Sequence, residues 1–473
     1  MTEKQECGYC SSTYESREQL ITHLTERHEH DELGRIDQKR IERFQNNNTG
    51  HRFKPAGSGI SRRSFVVATA LGVGAVATKF GGTVIGSSST ISNWEELDEI
   101  RDDLDGDYVL VEDLDEETPD YDGIGDDWNP IEPFTGTFNG NGHTISDVII
   151  ERGNQNNVGL FGRADDSAVI EDVHIRDADV TGESEVGTLV GVTESGGEVH
   201  VTNCSATGEV TATATLDTAH VGGLVGRSYW LLENCVAAVD VSAEARFAGG
   251  LLGRLSGSES TVCNSASLGT LESTDTNVGG LVGGTTISTG QVIEKSYSSV
   301  NIEGEDSTVG GLVGRVWRNT DIKHIYVVGP VDVEGSGVGG IVGNQSSDNT
   351  ILKNAYWDTE TTGQDEAAGS SGNEENVVGL TSDEMQGVSP LPEGDDTLSG
   401  FDFDEDWHAV IEGDRINSIP DNDGYPILQA TDPEIQLTAQ GITLTDPVPT
   451  ASIEGDNVTI SNTTIGEGNS ENE

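Results

Sequence analysis

The chain has 473 residues, 25 Lys and Arg against 83 Asp and Glu, a formal net charge of −58, and 61 glycines. Only 33% of residues are apolar and 5% aromatic; so Gly-rich and apolar-poor a composition excludes a helical bundle, and one weak apolar run excludes a polytopic membrane protein. A chain this acidic is also excluded as a general nucleic-acid binder, because phosphate contacts need Lys and Arg.

The charge is not evenly spread. Residues 1–34 hold 3 basic and 8 acidic side chains, residues 35–63 hold 8 and 2, and residues 64–473 hold 14 and 73. A strongly acidic surface resists aggregation in concentrated salt. With 7 Lys against 18 Arg, the balance resembles that of proteins from salt-loving archaea.

The first predicted element lies in residues 1–34. Cys7 and Cys10 are two residues apart, His23 follows after twelve, and His28 after four more. A hairpin can present two thiolates and a helix two imidazoles to one tetrahedral zinc. Tyr14 and Leu20 stand where a small ββα unit needs its two core residues. The segment resembles the Cys-Cys-His-His zinc finger, which implies one structural zinc held by Cys7, Cys10, His23 and His28. Base-reading positions in that family would fall on Ser16, Gln19 and Thr22, none of them basic, so nucleic acid is not an expected partner.

A basic linker over 35–60 precedes the segment 61–86. Ser61-Arg62-Arg63-Ser64-Phe65 resembles a twin-arginine export signal, with an uncharged stretch from Ser64 to Thr78 as its apolar core. The resemblance implies the twin-arginine export machinery as a partner of Arg62 and Arg63. Ala75-Val76-Ala77 is a candidate cleavage site. Without cleavage, residues 64–85 would anchor the chain in the membrane, with the finger on the cytoplasmic side.

The middle of the chain is repetitive. The hexapeptide Val221-Gly222-Gly223-Leu224-Val225-Gly226 recurs at 248–253, 278–283, 309–314 and 338–343, with weaker copies at 186–191 and 158–162. Successive last glycines are 27 to 35 residues apart. A period of about 30 with β-type composition denotes an all-β solenoid, here a parallel β-helix. Paired glycines suit a corner of positive φ or close backbone approach. Leu and Val side by side cannot both face inward along a regular strand, so a bend is expected between them. A second recurring place, Asn203-Cys204, Asn234-Cys235, Asn264-Ser265 and Asn354-Ala355, predicts an amide ladder. These residues resemble the GLUG repeat of surface and secreted proteins. The expected organisation is a cap and first coils over 87–157, the repeat solenoid over 158–360, a capping region over 361–430 and an acidic tail over 431–473.

Two sets of side chains invite a chemical reading. Cys204 and Cys235 hold one place in adjacent coils, at a separation open to a disulfide or to two buried thiols. Arg163, Arg227, Arg254 and Arg315 each follow a hexapeptide, with Tyr229, Trp230 and Trp317 just beyond. They form either a glycan-binding stripe, in which Arg pairs with carboxylates and aromatics stack on sugars, or simple neutralisation of nearby Asp and Glu. No nucleophile, phosphate-loop or catalytic zinc motif is present, so no enzyme is expected. The expected role is an exported or membrane-anchored surface solenoid for binding, adhesion or structure, its partner an extracellular glycan or a surface protein. The alternatives are a polysaccharide lyase or glycoside hydrolase on the same scaffold, and a membrane-tethered zinc-finger regulator.

Overall fold

The computed structural model describes residues 5–6, 13–14 and 88–410, with short interruptions at 215–218, 274–276, 305–307, 334–336, 347–349, 370–372 and 392–393, and parts of 424–461. The chain divides into two units, residues 1–76 and 77–473. In the first, Gln5–Glu6 pairs antiparallel with Thr13–Tyr14. The zinc-ligand candidates Cys7, Cys10, His23 and His28, the signal arginines Arg62 and Arg63, and the stretch 64–85 lie outside the described residues. Among the described residues no helix is long and apolar enough to cross a membrane.

The second unit is a parallel β-solenoid. Each full coil carries four strand positions, as in Leu231–Glu233, Val236–Ala243, Phe247–Gly249 and Leu252–Leu255. We call these the short, long, pre-turn and post-turn columns, the last two flanking the Gly-Gly turn. Every column is built by parallel pairing between successive coils. The post-turn column has seven strands, stacked in sequence order from Phe161–Ala164 to Val342–Gln345. The short column begins earlier, with Ser89–Ile91 on Asp107–Leu110 and Asp107–Leu110 on Thr137–Asn139. A short helix, Trp94–Asp98, packs Trp94 and Leu97 into this first end of the core.

The hexapeptide explains why coils stack so closely. The pre-turn strand ends at Gly222 and the post-turn strand starts at Val225, so the bend falls within Gly223-Leu224 and both Leu224 and Val225 are buried. The paired glycines do not take positive φ. They serve close approach: a Cβ on Gly223 would lie 2.2 Å from the Gly250 carbonyl oxygen, and one on Gly250 2.3 Å from that of Gly280. The turns are themselves hydrogen-bonded from coil to coil, Leu224 N to Leu251 O at 3.0 Å and Leu251 N to Leu281 O at 3.1 Å.

The second recurring place is the corner between the short and long columns. Asn203, Asn234, Asn264 and Asn354 sit there with φ between 47° and 55°, the left-handed region that Asn enters more readily than other side-chain-bearing residues. The amide ladder forms in part: Asn234 Nδ2 donates to Asn203 Oδ1 at 2.8 Å, and Asn203 Nδ2 to Asp172 Oδ1 at 3.0 Å. Lys295 and His324 take the same corner in their coils and interrupt it. Cys204 and Cys235 follow the Asn on successive rungs as buried free thiols, their Sγ atoms 3.1 Å from Thr202 O and 3.3 Å from Glu233 O. Ser265 and Ser296 continue that row.

Beyond the last repeat, Asn373–Leu380 adds one more parallel strand to Ile351–Asp358. The chain then folds back along the flank of the long column. There Tyr297 and Tyr326 stack with centroids 4.7 Å apart, and Trp407 and Phe401 cover them. Tyr297 Oη pairs with Gln436 Oε1 at 3.0 Å and Lys295 Nζ with Asp406 Oδ1 at 2.9 Å. Further back, Arg176 pairs with Asp432 at 2.7 Å. The segment is thus a strap across several coils.

A candidate anion-binding row on the turn edge

The residues after each hexapeptide fall in one register: Arg163, Val192, Arg227, Arg254, Gly284, Arg315 and Asn344. The row of arginines is therefore real but interrupted. Arg227 and Arg254 occupy adjacent rungs; Arg315 stands two rungs beyond Arg254, and Arg163 two before Arg227.

None of these four guanidiniums has a carboxylate within ion-pair distance among the described residues. Arg101, Arg152 and Arg176, elsewhere on the solenoid, each pair with an Asp at 2.6–2.7 Å. The row is held instead by neutral groups. Arg227 Nε donates to Ser256 Oγ at 3.0 Å, its Nη2 donates to Tyr229 Oη, and its Cζ lies 4.6 Å from the Tyr229 ring centroid. Arg315 lies 4.0 Å over Trp317. Trp230 is anchored through Nε1 to Glu194 O at 2.8 Å. One face of Tyr229 and one of Trp317 are thus occupied by guanidiniums, which makes these rings platforms for the cations. The Nε atoms of Arg163, Arg254 and Arg315 are buried without a partner. Burial, followed by the nearby charges of Arg227 and Arg246, brings the pKa of Arg254 down to about 10. Burial, then Arg246, lowers that of Arg315.

The opposite flank of the turn was not singled out in the sequence. The residue before each hexapeptide also forms a row, Glu185, His220, Phe247, Asn277 and Thr308. It meets the arginines on the outside of the turn. Arg254 Cζ lies 4.6 Å over the Phe247 ring, and its Nη1 is 3.2 Å from His220 Nε2. His220 stacks on Phe247 and its Nδ1 is 3.1 Å from Glu185 Oε1. The position is fixed at one residue before a visible motif, but its residue types vary from coil to coil. Position alone was the available signal.

No protein-family model matches the chain. A stretch of 127 residues, 25% of the chain, is 37% identical to halomucin of Haloquadratum walsbyi, and the chain spans about 1% of that protein's length. Among solved structures, a chain from Bacteroides ovatus described as a candidate immunoglobulin A1 protease aligns with a TM-score of 0.43 and 18% identity, over 73% of this chain and 93% of that one. The β-solenoid and the likeness to halomucin both fit a surface repeat protein of halophilic type.

Proposed function

We propose that the protein is an exported cell-surface β-solenoid that contacts an anionic glycan along its turn edge and does not cleave it. The observation that carries this reading is a set of arginines with no carboxylate partner among the described residues, on a chain of net charge −58. With so many carboxylates available, simple neutralisation would leave these guanidiniums paired, as Arg101, Arg152 and Arg176 are. Bidentate contact with carboxylate or sulfate is what unpaired guanidiniums offer. The surface location is supported by the likeness to halomucin of Haloquadratum walsbyi and by the twin-arginine-like Arg62 and Arg63. The test mixes residues 87–473, in concentrated salt, with neutral, uronate and sulfated polysaccharides. Retention on the anionic polymers without new chain ends supports the proposal. New reducing or unsaturated ends would make the protein a polysaccharide-degrading enzyme instead.

The N-terminal unit belongs to the same proposal as a zinc-bearing module retained on the cytoplasmic side when residues 64–85 stay in the membrane. The antiparallel pairing of Gln5–Glu6 with Thr13–Tyr14 supports it, because a finger needs a hairpin around its Cys pair. Zinc would supply structural cross-linking between Cys7, Cys10, His23 and His28. The full chain is expected to hold one zinc per molecule, measured by elemental analysis, and Cys10→Ser to lose it. Retention of the metal by Cys10→Ser sinks the assignment.

A further inference from the structure

The two rows that meet outside the turn do different work. Glu185 accepts from Ser184 Oγ at 2.5 Å and faces His220 Nδ1. Burial alone would raise its pKa, but hydrogen bonds from His220 and Ser184 outweigh it and leave the carboxyl below its usual range. His220 is only 3% exposed. With a carboxylate at Nδ1, that nitrogen carries the proton, and Nε2 is left as an acceptor aimed at Arg254 Nη1. Burial keeps the ring neutral, against the pull of Glu185. The chain Ser184–Glu185–His220–Arg254 therefore orders a cation through a neutral acceptor. A carboxylate in direct contact with Arg254 would cancel its charge; a neutral imidazole between them fixes its direction and leaves the charge available.

Arg227 stands one rung away, about 4.8 Å along the stack. It is held from the other side by Ser256 and Tyr229. Two guanidiniums at that spacing can share one tetrahedral or planar anionic group. The remaining arginines are two rungs off on either side, spaced to meet further charges along the same polymer.

We infer that Glu185 and His220 are positioning residues for a two-arginine site, in which Arg227 and Arg254 together take one sulfate or carboxylate group of an anionic polymer. This rests on the glycan-contact reading above and names its central site.

The test uses the full chain, dextran sulfate and polygalacturonate as probes, and neutral dextran as the blank, across a salt series. His220→Phe keeps the ring stack but removes the acceptor, and is expected to weaken binding of the wild-type-preferred polymer by about tenfold, the worth of one charge-assisted contact. His220→Gln, whose Oε1 can accept from Arg254, is expected to recover most of that loss. Glu185→Met should weaken binding in the same direction as His220→Phe, and it serves if His220→Phe does not fold. Lys353→Gln, a charge loss away from the row, controls for net charge. If Arg254→Gln weakens binding while His220→Phe and Glu185→Met bind like wild type, the positioning role is overturned and the row survives. If Lys353→Gln weakens binding as much as Arg254→Gln, the effect is net charge and the two-arginine site is overturned. If wild type binds neither polymer, the glycan reading itself fails.

Discussion

At the residue scale, the two recurring motifs act through different constraints, which substitutions can separate. Asn234 holds φ near +55° and also donates to Asn203. Asn234→Ala loses both the left-handed tolerance and the hydrogen bond, and is expected to cost about 2 kcal/mol. Asn234→Gly keeps the backbone and loses the bond, so it should cost less, about 1 kcal/mol. Equal costs in denaturant unfolding would show that the corner conformation is not what selects Asn. The hexapeptide glycines answer to space. Gly250→Ala would put its Cβ 2.3 Å from a backbone oxygen and 2.8 Å from Val300. Backbone cannot yield as a flexible side chain does, so a loss of about 3 kcal/mol or more is expected. Gly153→Ala meets its first neighbour at 3.4 Å and should change stability by less than about 0.5 kcal/mol. A Gly250→Ala chain as stable as wild type would show that the coils are not limited by close approach there.

At the scale of the element, the repeat was legible and the strap was not. Val-Gly-Gly-Leu-Val-Gly repeats because each coil must solve the same turn, so periodicity reports geometry directly. A bend beside Leu224 and Val225 follows from two adjacent apolar residues that both need the core, and it falls one step earlier than that pair alone suggests, within Gly223-Leu224. The strap obeys no such rule. Phe401, Phe403, Trp407 and Leu428 are irregularly spaced, and their partners Tyr297, Tyr326 and Tyr356 lie in other coils. Pairing between a periodic scaffold and an aperiodic segment leaves no mark in either sequence alone. The row of Glu185, His220 and Phe247 was hidden for a related reason, since one structural place carries three chemistries. The strap also predicts local rather than global failure. Trp407 is fully buried against Tyr297, Tyr326 and Phe401, and Trp407→Ala should remove about 3–5 kcal/mol of packing. Because the apolar cluster beneath the strap begins only at Val236, hydrogen exchange should accelerate in residues 398–410 and 424–432 and on the Tyr297 and Tyr326 strands. Amides of 158–228 should keep their protection. Uniform acceleration across the solenoid would mean that strap and coils unfold as one unit.

At the scale of the whole molecule, net charge and buried histidines pull stability in opposite directions on acidification, and salt separates them. Protonating carboxylates relieves self-repulsion in a chain of net charge −58, but mainly near pH 4. Among the described residues, four histidines respond earlier. Burial lowers the pKa of His174, His220, His324 and His408, with like charges from Arg176 adding at His174 and Lys323 at His324. A histidine with a folded pKa below its unfolded value binds fewer protons when folded, so stability rises with pH through that window. The contribution is complete above about pH 6.5, the unfolded value, and is lost as the pH falls below it. Glu185, also lowered, adds a loss of the same sign further into acid. In about 3 M KCl the screening length is under about 3 Å, which silences surface repulsion while leaving buried groups exposed to the pH. Denaturant midpoints there should be flat from pH 8 to 7 and fall between pH 6.5 and 5. His408→Phe removes a buried ring whose Nδ1 has no partner, and should make that fall shallower. A midpoint that stays level or rises between pH 7 and 5 would mean that the histidines are not held neutral, and that the charge of the surface governs stability even where salt hides it.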